Sequence, residues 1–272
     1  MQTTTSRKTA LVTGASSGIG AALARLLAQR GYNLVIVARR GQALQDLADD
    51  LTRRHGASVA VLPKDLSLPE APQEIVAELA RQGTQVDVLV NNAGFASYGA
   101  FAETDTQHEL QMMQVNMVAL THLTKLLLPG MIQRRTGKIL NIASTAAFQP
   151  GPLMAVYYAT KAYVLSLSEA LAEELRGSGV TVTALCPGPT RSGFQERAGM
   201  QESRLVQGEI MDVETVARVG YSALMSGRRI VIPGAQNRAT AFAVRLLPRA
   251  LVTRLTRLAQ DRVHTPAGGA VK

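Results

Sequence analysis

The sequence predicts an α/β protein built on a doubly wound parallel sheet of about seven strands with helices on both faces. Short runs of valine, isoleucine and leucine alternate along the chain with longer segments of helical apolar spacing. Continuous apolar strands separated by helices are typical of parallel sheets that are covered on both sides. The predicted strands are residues 9–13, 33–38, 58–62, 87–91, 138–143, 180–186 and 229–233. The predicted helices are residues 18–30, 41–54, 69–82, 105–134, 157–176 and 213–226.

Glycine and proline mark the ends of these elements. Pro69 suits the first turn of a helix. Hydrophobic residues make up 46% of the chain, enough for a large core, and no linker, repeat or low-complexity segment interrupts it before the C-terminal tail. We therefore expect one domain over residues 1–234 and a basic, amphipathic helical tail over 235–272. The glycines at or just past predicted helix ends are Gly31, Gly56, Gly83, Gly177 and Gly227.

The first strand runs directly into a glycine-rich loop. Residues 9–13 are followed by GASSGIG, from Gly14 to Gly20, and then by the helical segment AALARLLAQR. Glycines let the backbone turn tightly and approach a pyrophosphate, which then faces the free N–H groups of the helix N-terminus. The spacing is GxxxGxG, a residue or two longer than GxGxxG. The loop predicts a Rossmann-type dinucleotide-binding fold.

A tyrosine and a lysine stand four residues apart on a predicted helix. The i, i+4 spacing of Tyr157 and Lys161 places both on one helix face. A nearby cation lowers the pKa of a phenol from about 10 by roughly 1 to 3 units. We therefore expect an acidified tyrosine that exchanges a proton near neutral pH. Ser144 precedes Tyr157 by thirteen residues, at the end of the apolar run KILNIAS.

These motifs, together with NNAG at 91–94, Asn116 and Pro187-Gly188, resemble the short-chain dehydrogenase/reductase family in order and separation over residues 8–234. The resemblance is to its compact single-domain branch. It implies that the catalytic residues are Asn116, Ser144, Tyr157 and Lys161.

The resemblance also implies a role for each catalytic residue. Tyr157 is the general acid in reduction, and Ser144 hydrogen-bonds the substrate carbonyl. Lys161 lowers the pKa of the tyrosine and binds the nicotinamide ribose. Asn116 holds a water molecule that links the lysine to solvent. Asn91 braces the sheet instead of reaching the cofactor.

Two arginines favour NADP(H) as the cofactor. Arg39 and Arg40 follow the second strand, and Ala38 stands where an NAD enzyme of this type needs an acidic residue for the ribose 2′-hydroxyl. An arginine fork suits a 2′-phosphate. Ser17 departs from the family, since many NADP members have a basic residue in the glycine loop. The expected cofactor contacts are Gly14, Ser16, Ser17, Gly18, Ile19, Arg39, Arg40, Asp65, Asn92, Gly94, Tyr157, Lys161, Pro187, Gly188 and Thr190.

The segment after Thr190 corresponds to the family's substrate lid, and its apolar residues indicate a lipophilic substrate. We therefore expect an NADPH-dependent oxidoreductase that interconverts a ketone or aldehyde and an alcohol. The alternative is a catalytically silent dinucleotide-binding sensor or scaffold, which could associate with the membrane surface. The apolar lid residues are Phe194, Met200, Leu205, Val206, Ile210 and Met211.

Charge and cysteine content bear on partners and compartment. Of the net charge of +9, residues 235–272 carry +6, so residues 1–234 are only weakly basic. The chain has no tryptophan, and it therefore offers few aromatic side chains on which nucleic-acid bases could stack. We expect no nucleic-acid partner, and no metal, because the four histidines lack metal-ligand spacing. A single cysteine, Cys186, and no uninterrupted apolar run of about 18 residues favour a cytoplasmic protein, soluble or peripheral to the membrane.

The tail contains a predicted amphipathic helix with two alternative roles. Leu251, Val252, Leu255, Leu258 and Ala259 form an apolar stripe, and arginines lie mostly away from it. The helix either packs over the substrate pocket or on a partner subunit, or makes peripheral contact with anionic lipid through residues 249–262.

The family resemblance further implies a homodimer or homotetramer. The apolar helices at 105–134 and 157–176 are similar to the family's interface helices.

Overall fold

In the computed structural model, which describes residues 7–201, 203 and 210–261, the described residues form a sheet of seven parallel strands. The spatial order is β3-β2-β1-β4-β5-β6-β7, so the predicted doubly wound sheet is confirmed. Most strand ends agree with the prediction within a residue, but the last strand is shorter. The strands are β1 (Thr9–Thr13), β2 (Asn33–Ala38), β3 (Val59–Pro63), β4 (Val88–Asn91), β5 (Gly137–Ile142), β6 (Val180–Leu185) and β7 (Ile230–Val231).

Helices cover both faces of this sheet. Two of them, α7 and α9, were not predicted as separate elements. The helices are α1 (Gly18–Gln29), α2 (Gly41–His55), α3 (Ala71–Arg81), α4 (Thr106–Met113), α5 (Leu120–Gln133), α6 (Ala155–Glu174), α7 (Phe194–Arg197), α8 (Val213–Ser226), α9 (Ala235–Ala243) and α10 (Arg249–Gln260).

Alternation along β1 shows how the two faces are filled. Ala10 and Val12 are buried with residues of α1, α2 and α8, whereas Leu11 between them is buried with residues of α3 and α5 on the other face. This is the period of two that a strand imposes on its side chains. The strand order reverses at β1, which pairs with β2 on one side and β4 on the other. In open α/β sheets, ligands bind in the crevice at such a switch point, outside the carboxyl ends of the strands.

The helix predicted over residues 105–134 is interrupted in its middle. Residues Gln114–Ala119 form one turn of π-helix between α4 and α5, and Asn116 is buried in it. Single π turns inside α-helices are frequent at functional sites. By length and composition alone, the stretch Thr106–Gln133, with its π turn included, could also cross a membrane, which is weak evidence because core helices of soluble proteins pass the same test. Here its inner side packs on the sheet through Val115, Leu123 and Met131.

The predicted stripe of the C-terminal helix needs a correction. The residues of α10 that are buried against the rest of the protein are Val252, Thr256 and Gln260. Of the five residues predicted as one stripe only Val252 belongs to this face, and Leu251, Leu255, Leu258 and Ala259 are exposed. At about 100° per residue, the leucine face lies roughly 120° around the helix from the buried face. The helix therefore packs through one face on the rest of the same chain and leaves an apolar face in solvent.

Candidate active site

A cavity of about 630 Å³ opens at the carboxyl ends of the strands. Its wall is built from the loops that follow six of them, β1 to β6, together with α6, α7 and α9. Every residue predicted to contact the cofactor lines this cavity, as does Ser144, whereas Asn116 lies just behind the wall. The predicted residues in the lining are Gly14, Ser16, Ser17, Gly18, Ile19, Arg39, Arg40, Asp65, Asn92, Gly94, Ser144, Tyr157, Lys161, Pro187, Gly188 and Thr190.

The glycine loop has no room for side chains at two positions. Gly14 adopts a φ of +65°, and a Cβ on it would lie 2.7 Å from Nδ2 of Asn92. A Cβ on Gly20 would lie 2.4 Å from both that nitrogen and the carbonyl oxygen of Gly14. Asn92 holds the loop by donating from Nδ2 to the carbonyls of Thr13 (2.9 Å) and Gly14 (3.2 Å). The loop is therefore a backbone cradle at the N-terminus of α1, which suits a pyrophosphate.

Three arginines line the cavity near this cradle. Arg40 donates from Nη2 to the hydroxyl of Ser16 at 3.2 Å, and Arg39 beside it has no hydrogen bond or ion pair within the described residues. Arg197 of α7 approaches from the lid; burial and the nearby guanidinium of Arg40 lower the pKa of Arg197. Like charges facing one cavity attract an anion into it. Sequence reasoning missed Arg197, because its approach to Arg40 depends on how the lid folds back.

Asp65 stands at the rim, where the chain leaves β3. Its Oδ1 accepts hydrogen bonds from the backbone N–H (3.0 Å) and the hydroxyl (2.8 Å) of Ser67. These local bonds stabilise the β3–α3 turn and fix the direction of the carboxylate. Lys64, which also lines the cavity, is paired with Glu74.

Ser144, Tyr157 and Lys161 come together at the inner end of the cavity. Ser144 follows β5, and its hydroxyl accepts from the N–H of Ala146 at 3.1 Å. Tyr157 lies in the first turn of α6, and Nζ of Lys161 is 5.7 Å from the centroid of its ring. Folding has therefore joined a strand end and a helix that are thirteen residues apart in sequence.

The pKa of Tyr157 is raised to about 12, opposite to the direction predicted from the YxxxK spacing. Burial is the main cause, because a phenolate loses its hydration there, and the neighbouring hydroxyl of Ser144 opposes the shift by a smaller amount. The Lys161 ammonium, 5.7 Å from the ring centroid, does not outweigh this effect of burial. It donates to the carbonyl of Ile142 at 2.8 Å, and burial lowers its own pKa to about 8.

Asn116 lies behind the cavity wall and connects the loop after β4 with α6. Its side chain both accepts from the N–H of Phe95 (3.1 Å) and donates to the carbonyl of Phe95 (3.0 Å). It also donates to Oγ1 of Thr160, which precedes Lys161, at 3.1 Å. A Cβ on Gly94 would lie 2.9 Å from Oδ1 of Asn116 and 3.6 Å from Nζ of Lys161. The asparagine thus fixes the loop after β4 against α6.

The loop after β6 forms the floor of the cavity. The carbonyl of Pro187 accepts from the N–H of Thr145 at 2.9 Å, and Thr190 donates to the carbonyl of Gly188 at 2.9 Å. A Cβ on Gly188 would lie 2.5 Å from Oδ1 of Asn237 in α9. The tail region predicted as a separate segment therefore reaches the site, since Gln236, Thr240 and Ala241 of α9 also line the cavity.

The end of the cavity beside Tyr157 is apolar. Phe194 of the lid packs on the Tyr157 ring with centroids 5.5 Å apart, and Met200 is buried in the same cluster. Phe95, Met154 and Tyr158 complete this wall. Ile210 and Met211 also lie in the described part of the lid, Met211 packed against the core, while Leu205 and Val206 fall outside the described residues.

Three other predictions concern Cys186, a metal site and Asn91. Cys186 is buried at the end of β6, and burial raises the pKa of its thiol to about 12, so it is a packing residue. Within the part of the chain that the structure describes, no group of three His, Cys, Asp or Glu residues is arranged to hold a metal ion. Asn91 braces the sheet as expected, donating to Thr124 and Asn141.

The fold and this cavity define a doubly wound α/β protein with a ligand-sized cavity at the carboxyl ends of its strands. The family model "short chain dehydrogenase" matches residues 8–203, and the chain belongs to the short-chain dehydrogenase/reductase family. The chain is similar to a very-long-chain 3-oxoacyl-CoA reductase of Pyrenophora tritici-repentis, with 38% identity over 177 residues. That match covers 64% of this chain and 52% of the fungal protein, so the chain spans about half of that relative's length.

Two solved structures resemble this one over most of their length. A short-chain dehydrogenase from Sphingobium yanoikuyae in complex with NADPH shares 36% identity with a TM-score of 0.80, covering 90% of this chain and 94% of that one. The bulky-bulky ketone specific alcohol dehydrogenase from Comamonas testosteroni shares 32% identity with a TM-score of 0.75, covering 88% and 92%.

Proposed function

We propose that this protein is an NADPH-dependent reductase of lipophilic ketones or aldehydes, with Tyr157 as the general acid. The observation that carries the proposal is the arrangement of one cavity. Ser144, Tyr157 and Lys161 stand at its apolar end, and the glycine cradle and three arginines stand in the part suited to a dinucleotide. The reverse oxidation of the alcohol uses the same groups.

NADP(H) fits the residues present. The bare backbone at Gly14 and Gly20 leaves room for a pyrophosphate, and Ala38 supplies no carboxylate for a ribose 2′-hydroxyl. Arg39, Arg40 and Arg197 would meet the 2′-phosphate end with positive charge, which compensates for the absence of a basic residue at Ser17. The NADPH complex of the Sphingobium relative supports this assignment. When bound, the cofactor supplies the hydride.

The protein's own residues supply the proton and stabilise the developing charge. Because burial raises the pKa of Tyr157 to about 12, its phenol keeps its proton at neutral pH, which is the form that a general acid needs. The hydroxyl of Ser144 would donate a hydrogen bond to the oxyanion that forms from the carbonyl. Lys161, charged below about pH 8, would stabilise the tyrosinate left after proton transfer.

A lipophilic substrate is favoured by the wall around Tyr157. Phe95, Met154, Phe194 and Met200 present apolar surface there. Burying apolar substrate surface against such a wall contributes roughly 25 cal/mol per Å². Relatives named for very-long-chain 3-oxoacyl-CoA and for bulky-bulky ketones support the same class.

The proposal is tested by measuring turnover of a panel of steroid, acyl, aromatic and sugar carbonyl compounds with NADPH and with NADH. We expect oxidation of NADPH with apolar ketones or aldehydes, and little with sugars. Binding of NADPH without turnover of any of these compounds would favour the alternative, a catalytically silent dinucleotide sensor or scaffold.

Carbonyl reduction should lose rate as the pH rises through about 8. The pKa of Lys161 is lowered to about 8, so its charge is fully present well below that pH and is lost above it. Tyr157, with its pKa near 12, stays protonated throughout. We therefore expect kcat/KM for reduction to be constant between pH 6 and about 7.5 and to fall about tenfold per unit well above 8. A profile that is flat to pH 10 would contradict this role of Lys161.

The protein should also be a homodimer or homotetramer. Leu110 and Val118 on the helical stretch from Thr106 to Gln133, and Tyr163 on α6, expose apolar surface on the helices expected to form the interface. Light scattering at micromolar concentration should give a multiple of the 29.0 kDa chain mass. Val118→Asp should shift the mass toward the monomer, whereas Leu68→Asp, at an exposed leucine outside these helices, should not. A monomeric mass for the unchanged protein would refute the prediction.

A further inference from the structure

The last two helices and their connection carry exposed apolar side chains and arginines that no other described part of the protein covers. Phe242 of α9 is 63% exposed, Leu246 in the connection is 72% exposed, and Leu258 of α10 is 56% exposed. Leu247, Leu251 and Leu255 are exposed as well. We call these six side chains, with the arginines among them, the C-terminal surface. The arginines are Arg238, Arg245, Arg249, Arg254 and Arg257.

The charge of this surface has one sign. Across residues 235–261 the five arginines meet a single acidic residue, Asp261, and that carboxylate is already paired with Arg257. In the described part of the chain the other four arginines have no ion pair. The surface therefore combines exposed leucine and phenylalanine with uncompensated positive charge.

Helix α10 contacts the rest of the protein through one face only. Val252, Thr256 and Gln260 bury one face, and Tyr98 donates its hydroxyl hydrogen to the carbonyl of Gln260 at 2.5 Å. With that face fixed, Leu251, Leu255 and Leu258 point away from the body. Arg254 borders the leucines on the side opposite the buried face, whereas Arg257 lies between Arg254 and the buried face, since residues are spaced about 100° apart.

We propose that the C-terminal surface binds the face of an anionic phospholipid bilayer, with the leucines and Phe242 entering the headgroup boundary and the arginines meeting lipid phosphates and carboxylates. An apolar helix face flanked by arginines is the combination that holds a helix in the plane of such an interface. At about 18 Å, α10 is too short to cross the bilayer.

A second copy of the chain suits this surface less well. In a two-fold symmetric dimer the same patch faces itself, so five arginines would face five arginines with few carboxylates between them. An anionic bilayer removes that repulsion and accepts the apolar side chains as well.

The surface also adjoins the cavity through α9. Thr240 and Ala241 line the cavity, and Phe242, the next residue, is exposed on the C-terminal surface. Membrane binding would therefore bring the cavity wall close to the lipid, and a bilayer-dissolved carbonyl compound could enter from it. This last consequence rests on the proposed function, whereas binding to the bilayer does not.

Flotation of the full-length protein with vesicles tests the proposal without any substrate. We expect it to float with vesicles of about 30% phosphatidylserine in phosphatidylcholine, and not with pure phosphatidylcholine. Raising the NaCl concentration to about 0.5 M should release much of the protein. Equal binding to both vesicles, or none to either, would overturn the proposal, and an inactive enzyme that still floats would leave it standing.

Two matched sets of variants locate the surface. Arg245→Gln, Arg249→Gln and Arg254→Gln combined should weaken binding on the order of 100-fold, since each arginine near an anionic surface contributes about a factor of five. The control set, Arg25→Gln, Arg53→Gln and Arg54→Gln, removes the same net charge from α1 and α2. This set should change lipid binding little. Leu255→Ser should weaken binding about tenfold, and Leu68→Ser should not.

The remaining outcomes are also decisive. Each variant is compared by thermal melting, and because all of the substituted side chains are exposed, a loss of lipid binding at unchanged melting temperature supports the proposal. Equal losses of lipid binding in the two arginine sets would mean that the overall charge of the protein attracts it to the vesicles. That result would refute binding through the C-terminal surface. A change in oligomeric mass on Leu255→Ser, with lipid binding intact, would identify the surface as a contact between subunits instead.

Discussion

Tyr157→Phe is expected to lower carbonyl turnover by about 10²- to 10⁴-fold while leaving NADPH affinity nearly unchanged. The substitution removes the proposed proton donor and keeps the ring that packs on Tyr158 and Phe194. The substitution slows the chemical step rather than substrate binding, so its effect should appear in kcat more than in KM. Single-turnover rates with NADPH, together with a direct binding measurement of NADPH, separate the two effects.

The adjacent tyrosine provides the control. Tyr158 is buried, lines the same cavity and has its pKa raised by burial, but it has no lysine four residues further along the helix. Tyr158→Phe should therefore reduce turnover only a few fold. The assignment of Tyr157 fails if its Phe variant keeps a third of the unchanged protein's rate.

Arg39→Asp is expected to shift the preference between NADPH and NADH by about 10- to 100-fold toward NADH. A hydrogen bond to a charged group is worth roughly 1.5 to 3 kcal/mol, and the aspartate would repel a 2′-phosphate and suit a 2′-hydroxyl. The quantity to measure is the ratio of kcat/KM for the two cofactors with one carbonyl substrate.

Arg53→Asp makes the same charge change at an exposed position near the other end of α2, and it should leave the ratio unchanged. Arg40 and Arg197 remain in the Arg39 variant, so the reversal should be incomplete. Equal use of NADPH and NADH by the unchanged protein would refute the NADP(H) assignment.

The tyrosine shows how two electrostatic effects compete in this site. The YxxxK spacing alone predicts a lowered pKa, since a cation within about 4 to 6 Å favours a phenolate. Burial acts in the opposite direction on both groups, and Lys161 directs its ammonium at the carbonyl of Ile142. Burial outweighs the ion because the site is closed by Phe194 and Met200, residues far along the chain from Tyr157.

Local chemistry in the sequence was sufficient for the sheet and for the part of the cavity lining that directly follows the strands, whereas the roles of the catalytic residues came from the family resemblance. Continuous apolar runs predict buried parallel strands, and the residue that follows such a strand must lie at the sheet's carboxyl edge, whatever the exact helix ends. For this reason Gly14, Arg39, Asp65, Asn92 and Ser144 could all be assigned to one cavity, which they line in the structure.

The sequence by itself determined the seven strands, the main helices between them and the polar side chains that follow the strands at the sheet edge, because all of these depend on short-range periodicity. Tertiary packing decided the rest. It set the π turn at Asn116, the approach of Arg197 to Arg40, the reach of α9 into the cavity and the face of α10 that is buried. Each of these depends on contacts between segments far apart in the chain. Helix α10 has one apolar stripe, but two of its three buried residues, Thr256 and Gln260, are polar, so its own sequence does not show which side its neighbours will cover.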